Sequence, residues 1–239
     1  MDFSTTEAAQ DLSHLVGTIV DAVCTPEHQR TLDGLDERFD RELWRKLIDA
    51  DILSAAAPES LGGGGFGVLE QTAILVALGR QLAAVPYLDS VLLSAGALGK
   101  FGSARLQQDW AVPAVNGAKV IAVALDSYPG DSPVQASRSG DSYRLTGTRT
   151  QVGFGPVADA FLVPADTDSG TKVFLVDADI PGVSVTTLIT TGRGSVGQLD
   201  LADAALDADQ VVGDQALIDW LSTRTTLGRS AFQLGVLER

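Results

Sequence analysis

Gly62, Gly64 and Gly67 satisfy the spacing G-x-G-x-x-G, and Asp89 follows at about the 20-residue distance at which a dinucleotide fold holds a ribose with an acid. That chemistry needs a strand running directly into the glycines, so that their backbone N–H groups meet a pyrophosphate at a helix N-terminus. Here Pro58-Glu59-Ser60 interrupts the approach and Asp89 falls in a helical pattern. Gly192, Gly194 and Gly197 repeat the spacing between two strand-like segments, and ordinary turns account for both sets. An NAD-binding protein built on the Gly62 loop is the least favoured of the readings that stay open. His14 and His28 are the two histidines, widely placed and without neighbouring cysteines, which offers little to metal or triad chemistry. The acidic groups Asp33, Asp36, Glu37, Asp40 and Asp203, Asp207, Asp209 read as solvated faces. Cys24 is the one cysteine, so neither a disulfide framework nor a Cys-rich metal site can form within the chain.

The elements that must position any site are set by 239 residues with 45% apolar and 20% charged content, enough for a sizeable core. A net charge of -14, from 31 acidic against 17 basic groups, opposes phosphate backbones and anionic lipid, so neither nucleic acid nor membrane is an expected partner. The start, Met1 to Glu7, lacks the basic and apolar regions of a signal peptide, and no apolar run reaches membrane-spanning length; a cytoplasmic location is the expectation.

The first half carries helical periodicity. Leu12, Leu15, Val16, Ile19, Val20 and Val23 share one face of a helix opening near Thr6 and ending before Pro26, with His28 in the loop that follows. Asp40 is placed to N-cap a helix carrying Leu43, Trp44, Leu47 and Ile48. Further helices are expected at Val68–Ala83, Tyr87–Leu98 and Ala104–Val115. Near Ala118 the period changes to short Val-, Leu- and Thr-rich segments bounded by Ser139-Gly140-Asp141, Asp168-Ser169-Gly170 and Pro181-Gly182, the pattern of an antiparallel sheet or barrel. Helical periodicity returns after Gly213 with Ile218, Leu221, Thr225 and Leu227. The expected class is therefore α+β and multidomain: a helical N-terminal domain over 1–115, a middle antiparallel β-barrel-like domain over 116–212, and over 213–239 the first helix of a bundle.

Several runs together resemble the acyl-CoA dehydrogenase family. Leu145-Thr146-Gly147-Thr148-Arg149-Thr150-Gln151-Val152-Gly153, followed by Ala158-Asp159, is similar to a middle-domain run Leu-Asn-Gly-Thr-Lys-Thr-Trp-Ile-Thr. Leu43-Trp44 with Pro58-Glu59 and Gly62-Gly63 resembles the family's N-terminal pattern, and Phe174-Leu175-Val176-Asp177 with Pro181-Gly182-Val183 another middle-domain segment. The resemblance implies FAD as cofactor, an acyl-CoA thioester as substrate, α,β-dehydrogenation as the reaction and electron-transfer flavoprotein as a partner, in a homo- or hetero-oligomer with an acyl-CoA dehydrogenase subunit.

Carried over residue by residue, it implies backbone contacts to the flavin from Val123 and Leu125, with Asp126 in place of a Thr and Ser132 retained for cofactor phosphate or acyl-CoA. Gln151 stands where the family has a stacking Trp, and Gly153 where it has a hydrogen-bonding Thr. Thr223-Arg224 matches a Thr-Arg pair whose Arg contacts CoA. The catalytic Glu is implied in later bundle helices, so no catalytic residue is assigned. With no Gly, Asn or Pro stop signal at Leu237-Glu238-Arg239, a fragment or helices supplied by a partner chain is expected. A subunit with a degraded flavin site supporting an active partner, as in heteromers acting on steroid side-chain CoA esters, is the main alternative to an ordinary dehydrogenase.

Overall fold

The computed structural model describes residues 5–125 and 132–238. Helix α1 (Glu7–Val23) opens where Thr6 Oγ1 accepts from the Ala9 N–H at 3.1 Å, satisfying one of the unpaired first-turn donors. Thr25 then caps α2 (Pro26–Leu32), whose first residue is a proline that has no N–H to lose. His28 therefore lies on a helix, where the sequence suggested a loop. Asp40 caps α3 (Arg41–Asp49) through a 2.9 Å bond from the Leu43 N–H, and the short α4 (Ile52–Ala55) follows.

Helix α5 (Val68–Arg80) is tied to the start of α1 by Glu70. One carboxylate oxygen takes the Gly67 N–H at 3.0 Å and the other the Thr6 hydroxyl at 2.6 Å, so one side chain joins two helix N-termini. A π-helical segment, Tyr87–Ala95, runs on into α6 (Gly96–Phe101), and α7 (Ala104–Leu106) and α8 (Val112–Val115) flank a second π-helical turn, Gln107–Ala111.

Among the described residues eight strands follow: β1 (Ile121–Val123), β2 (Gln135–Ser139), β3 (Ser142–Gly153), β4 (Ala160–Thr167), β5 (Gly170–Asp177), β6 (Val183–Thr187), β7 (Val196–Asp207) and β8 (Val211–Gly213). They form one sheet in the order β6-β7-β3-β2-β4-β5-β8, with β1 also on β4. The expectation of an antiparallel domain needs one correction, because β1 and β2 both pair with β4 in parallel. The chain reaches β1 from the helical half and meets β4 only after the β2–β3 hairpin, a crossover that a parallel pair requires.

The central strands are buried on both faces, as their alternation shows. Leu162, Val173 and Leu175 face the helices together with Leu93, Leu98, Ile121, Leu217 and Leu221. Phe161, Val163, Phe174 and Val176 face the opposite way, packing with Tyr143, Leu145, Leu199 and Leu201. Strands from both halves of the sheet converge on this second cluster, so the sheet curls around it in the barrel-like way expected. A third cluster, with Val16, Leu43, Trp44, Leu47, Ile74 and Tyr87, forms the centre of the helical half.

Helix α9 (Gln215–Leu237) starts at Asp214, which caps it, and returns to pack on α5. Three glycines let α9 approach α5 and the π-helical segment closely. A Cβ on Gly79 would lie 2.1 Å from the Phe232 carbonyl oxygen, one on Gly235 2.0 Å from that of Val76, and one on Gly228 2.4 Å from Leu88 Cδ1. Leu227, Leu234 and Leu237 of α9 are exposed. No helix among the described residues is long and apolar enough to cross a membrane.

Candidate functional site

Two serines of the π-helical segment position β1. The Ile121 N–H donates to Ser90 Oγ at 3.1 Å, and Ser94 Oγ donates to the Ile121 carbonyl at 3.0 Å; both serines are fully buried. The strand's start is fixed again by Asp159, whose Oδ2 accepts the Val120 N–H at 2.7 Å. Beyond β1 the Ala124 N–H donates to the Leu162 carbonyl at 2.9 Å. From the other side the buried Arg149 on β3 donates through Nη2 to the Pro164 carbonyl at 3.0 Å. The end of β1, with Val123 and Leu125, and the last third of β3 therefore flank the same stretch of β4.

Near its end β3 carries a bulge. Its pairing with β7 shifts register between Arg149 and Val152, and Gln151 is left with φ of 57°, exposed to solvent. A bulge inserts an unpaired residue and re-aims its side chain, so Gln151 projects from the sheet rim while Val152 stays buried in the barrel cluster. Gly153 follows. The atoms nearest to a Cβ built there are the Asp89 carboxylate oxygens, at 3.8 and 3.9 Å. Asp89 thus reaches from the π-helical segment to the position at which the resemblance places a hydroxyl donor.

A flavin fits this rim poorly. Its ring becomes anionic on reduction, yet the side chains presented are an uncharged amide in place of an indole, a glycine in place of a threonine, and a carboxylate beside that glycine. An aromatic face contributes about 0.5 to 1.5 kcal/mol beyond burial and a side-chain hydrogen bond about 1 kcal/mol, so their loss corresponds to roughly a tenfold to hundredfold weaker complex. Backbone groups of Val123 and Leu125 are unaffected by side-chain identity. Asp126 lies outside the described residues, whereas Ser132 is described and is exposed.

Arg224 is in a different place, on α9 against the helical half. Its guanidinium lies 4.5 Å from the Trp220 ring centroid and donates from Nη1 to Gln71 Oε1 at 3.2 Å; partial burial lowers its pKa below the usual arginine value. The π-helical segment thus reaches Gly153 through Asp89 and Ile121 through Ser90, while Arg224 is set apart against Trp220 and Gln71. Asp89, Ser90, Ser94 and Arg149 at that rim were not singled out from sequence for these roles. Ser90 and Ser94 are one helical turn apart within Val91-Leu92-Leu93 and its flanks, a spacing that marks one polar stripe on a buried helix.

The remaining motifs resolve as turns and caps. Gly62 ends the single turn Glu59–Leu61 with φ of 80°, preceded by α4 and not by a strand, and Gly192 and Gly194 lie between β6 and β7 while Gly197 is part of β7. Neither set has the strand-to-helix context that a dinucleotide needs. His28 Nε2 is 2.9 Å from Asp40 Oδ2, a contact that braces the α3 cap. Burial pushes the Cys24 thiol up to about 12, which leaves it an inert core residue. No group of metal-ligating side chains is present among the described residues.

Residues 6–118 match the family model described as Acyl-CoA dehydrogenase, N-terminal domain. Over 239 residues the chain is 70% identical to Acyl-CoA dehydrogenase FadE27 of Mycobacterium tuberculosis, covering 100% of this chain and 64% of that relative. It superimposes with a TM-score of 0.98 and 70% identity on a chain of the ChsE4-ChsE5 complex from Mycobacterium tuberculosis, covering 100% of this chain and 65% of that one. A variant of the Tcur3481-Tcur3483 steroid ACAD matches with a TM-score of 0.88 and 32% identity over 96% of this chain and 63% of its own. The chain thus spans just under two thirds of the proteins it matches.

Proposed function

The chain belongs to the acyl-CoA dehydrogenase family of oxidoreductases, and from that premise we propose that it is one subunit of a heteromeric acyl-CoA dehydrogenase in steroid or lipid side-chain catabolism. In this reading it supplies scaffold and acyl-CoA contacts, while a partner subunit of the same fold supplies the side chains that hold FAD. The reaction is α,β-dehydrogenation of an acyl thioester, in which a bound flavin accepts the hydride. The base that removes the α-proton lies outside the residues described for this chain.

One observation carries the reading: at the end of β3, Gln151 and Gly153 stand in the indole and hydroxyl positions, and the Asp89 carboxylate closes on Gly153. The named complexes and the high likeness to FadE27 and to the ChsE4-ChsE5 complex support a two-component assembly. Electron-transfer flavoprotein is the electron acceptor proposed for the assembly, not for this chain by itself.

The test is expression of the chain alone and together with a family subunit whose Trp and Thr positions are intact. The visible spectrum and acyl-CoA desaturation should be absent from the chain alone and present in the co-purified complex. A yellow, tightly flavin-loaded preparation of the chain alone would refute the division of labour and leave an ordinary dehydrogenase as the better account.

A further inference from the structure

We infer that the trough between α1 and α9, floored by α5, seats one amphipathic α-helix of the partner subunit, with its apolar stripe toward α5 and Lys or Arg on the flank toward α1. The inference rests on the heteromeric reading above and names a surface through which the two chains meet.

Helices α1 and α9 both pack on α5 and leave between them a trough of about 860 Å³. Leu69, Ala73 and Val76 of α5 recur along it at the helical spacing of three and four, as do Leu227, Ala231 and Leu234 of α9. Leu69, Leu227 and Leu234 are 52%, 42% and 49% exposed, so three large apolar side chains share one space where single surface leucines would need no explanation. Opposite them α1 presents Ser13 and Gly17, and a Cβ at Gly17 would meet nothing within 4 Å. Both ends are fixed. The Thr6 hydroxyl donates to Glu70 at 2.6 Å near the start of α5, and Arg80 pairs with Glu238 at 2.7 Å near its end, so the trough is held open before anything enters it.

A helix suits this surface better than a strand or a small molecule. All three walls are helices that use their main-chain groups internally, so an extended peptide finds no edge to pair with. From Leu69 to Arg80 the floor runs about 16 Å, or about three turns, which matches a partner helix with apolar side chains at i, i+3 or i+4, and i+7. Charge selects the flank. Helix α1 carries Glu7, Asp11 and Asp21 and neither Lys nor Arg, and none of the three forms an ion pair among the described residues. Asp21 lines the trough, while Glu7 and Asp11 stand three positions before the lining residues Gln10 and His14 and so border the same wall. Arg80 on the floor is already matched by Glu238. The unmatched charge at the trough is therefore negative and on one side, which a basic flank complements.

The probe is the family subunit with intact Trp and Thr positions, titrated against the full chain by sedimentation velocity. Gly17→p-benzoylphenylalanine, a photoreactive side chain placed in open space, is expected to label a helix of that subunit. Leu69→Glu and Leu234→Glu should each weaken the complex about tenfold, and Gly17→Leu about as much, with the chain's own melting temperature unchanged or raised. Asp11→Lys should weaken it a few-fold, with the difference shrinking at high salt. Leu35→Glu, at an equally exposed leucine away from the trough, should bind as the parent does. The inference is overturned if the label falls on a second copy of this chain or on no protein, if the trough variants bind as the parent does, or if Leu35→Glu weakens the complex equally. A complex that carries flavin and desaturates acyl-CoA yet tolerates the trough variants removes this surface and keeps the subunit reading. Failure of the parent to form any complex removes both.

Discussion

Between α5 and α9 the backbone itself fills the space that a side chain would need, whereas at the end of β3 a glycine faces room for one. Cβ atoms on Gly79 and Gly235 would come within 2.1 and 2.0 Å of carbonyl oxygens. A Cβ on Gly153 would meet nothing nearer than 3.8 Å. Glycine at the first two positions is a requirement of packing, and at the third it is a choice about what the rim presents. The contrast separates the part of the molecule that specifies the fold from the part that can change chemistry without disturbing it.

The comparison is most exposed at Gly235. Gly235→Ala must push α9 away from the Val76 carbonyl and the Arg80 N–H, and overpacking against backbone should cost about 3 kcal/mol. Chemical denaturation is the measurement, and an unchanged midpoint would show that the helices can separate without loss. A smaller effect is expected at the α1–α5 junction. Glu70 takes the Thr6 hydroxyl and, more weakly, the Gly67 N–H, and the bonds to its carboxylate, the Thr6 hydroxyl first, hold its pKa below the ordinary 4.5.

Because the folded-state value is the lower one, this contribution is complete above 4.5 and is lost as pH falls through the depressed value. Glu70→Gln should therefore destabilise by about 1 kcal/mol near neutrality. The difference from the parent should shrink on acidification, as followed by thermal melting across a pH series. The smallest change is expected at Gly153, where the Cβ has room and φ is not left-handed. Gly153→Thr should alter stability by less than about 0.5 kcal/mol. A large loss of stability there would abolish the distinction between the two regions.

How much of this could be read from the sequence follows the same division. Regular periodicity gave the helices of the first half, the change to strands near Ala118 and the return to helix after Gly213, because burial imposes a repeat on every residue of an element. Asp40 was legible as a cap because its role is local. Strand β2 was not anticipated: Gln135, Ser137, Arg138 and Ser139 are exposed along it, and only Ala136 is buried. Helix α2 was missed for a related reason, since Leu32 is the one buried residue of its seven. The rim could be read only in part. Gln151 and Gly153 stood out against a motif, but the approach of Asp89 to Gly153 joins residues more than sixty positions apart, and no local pattern encodes such a contact.

Ser90 and Ser94 have a consequence for the sheet's borders. The N–H and C=O of Ile121 are among the groups that β1 would offer to a further strand, and each is taken by one serine hydroxyl. Two side chains of a helix stand in for one residue of a neighbouring strand. An open strand edge is a template for pairing with another chain, and natural proteins blunt such edges. Here the edge is closed at Ile121 from within, which leaves β6 and β8 as the strands at the sheet's two ends.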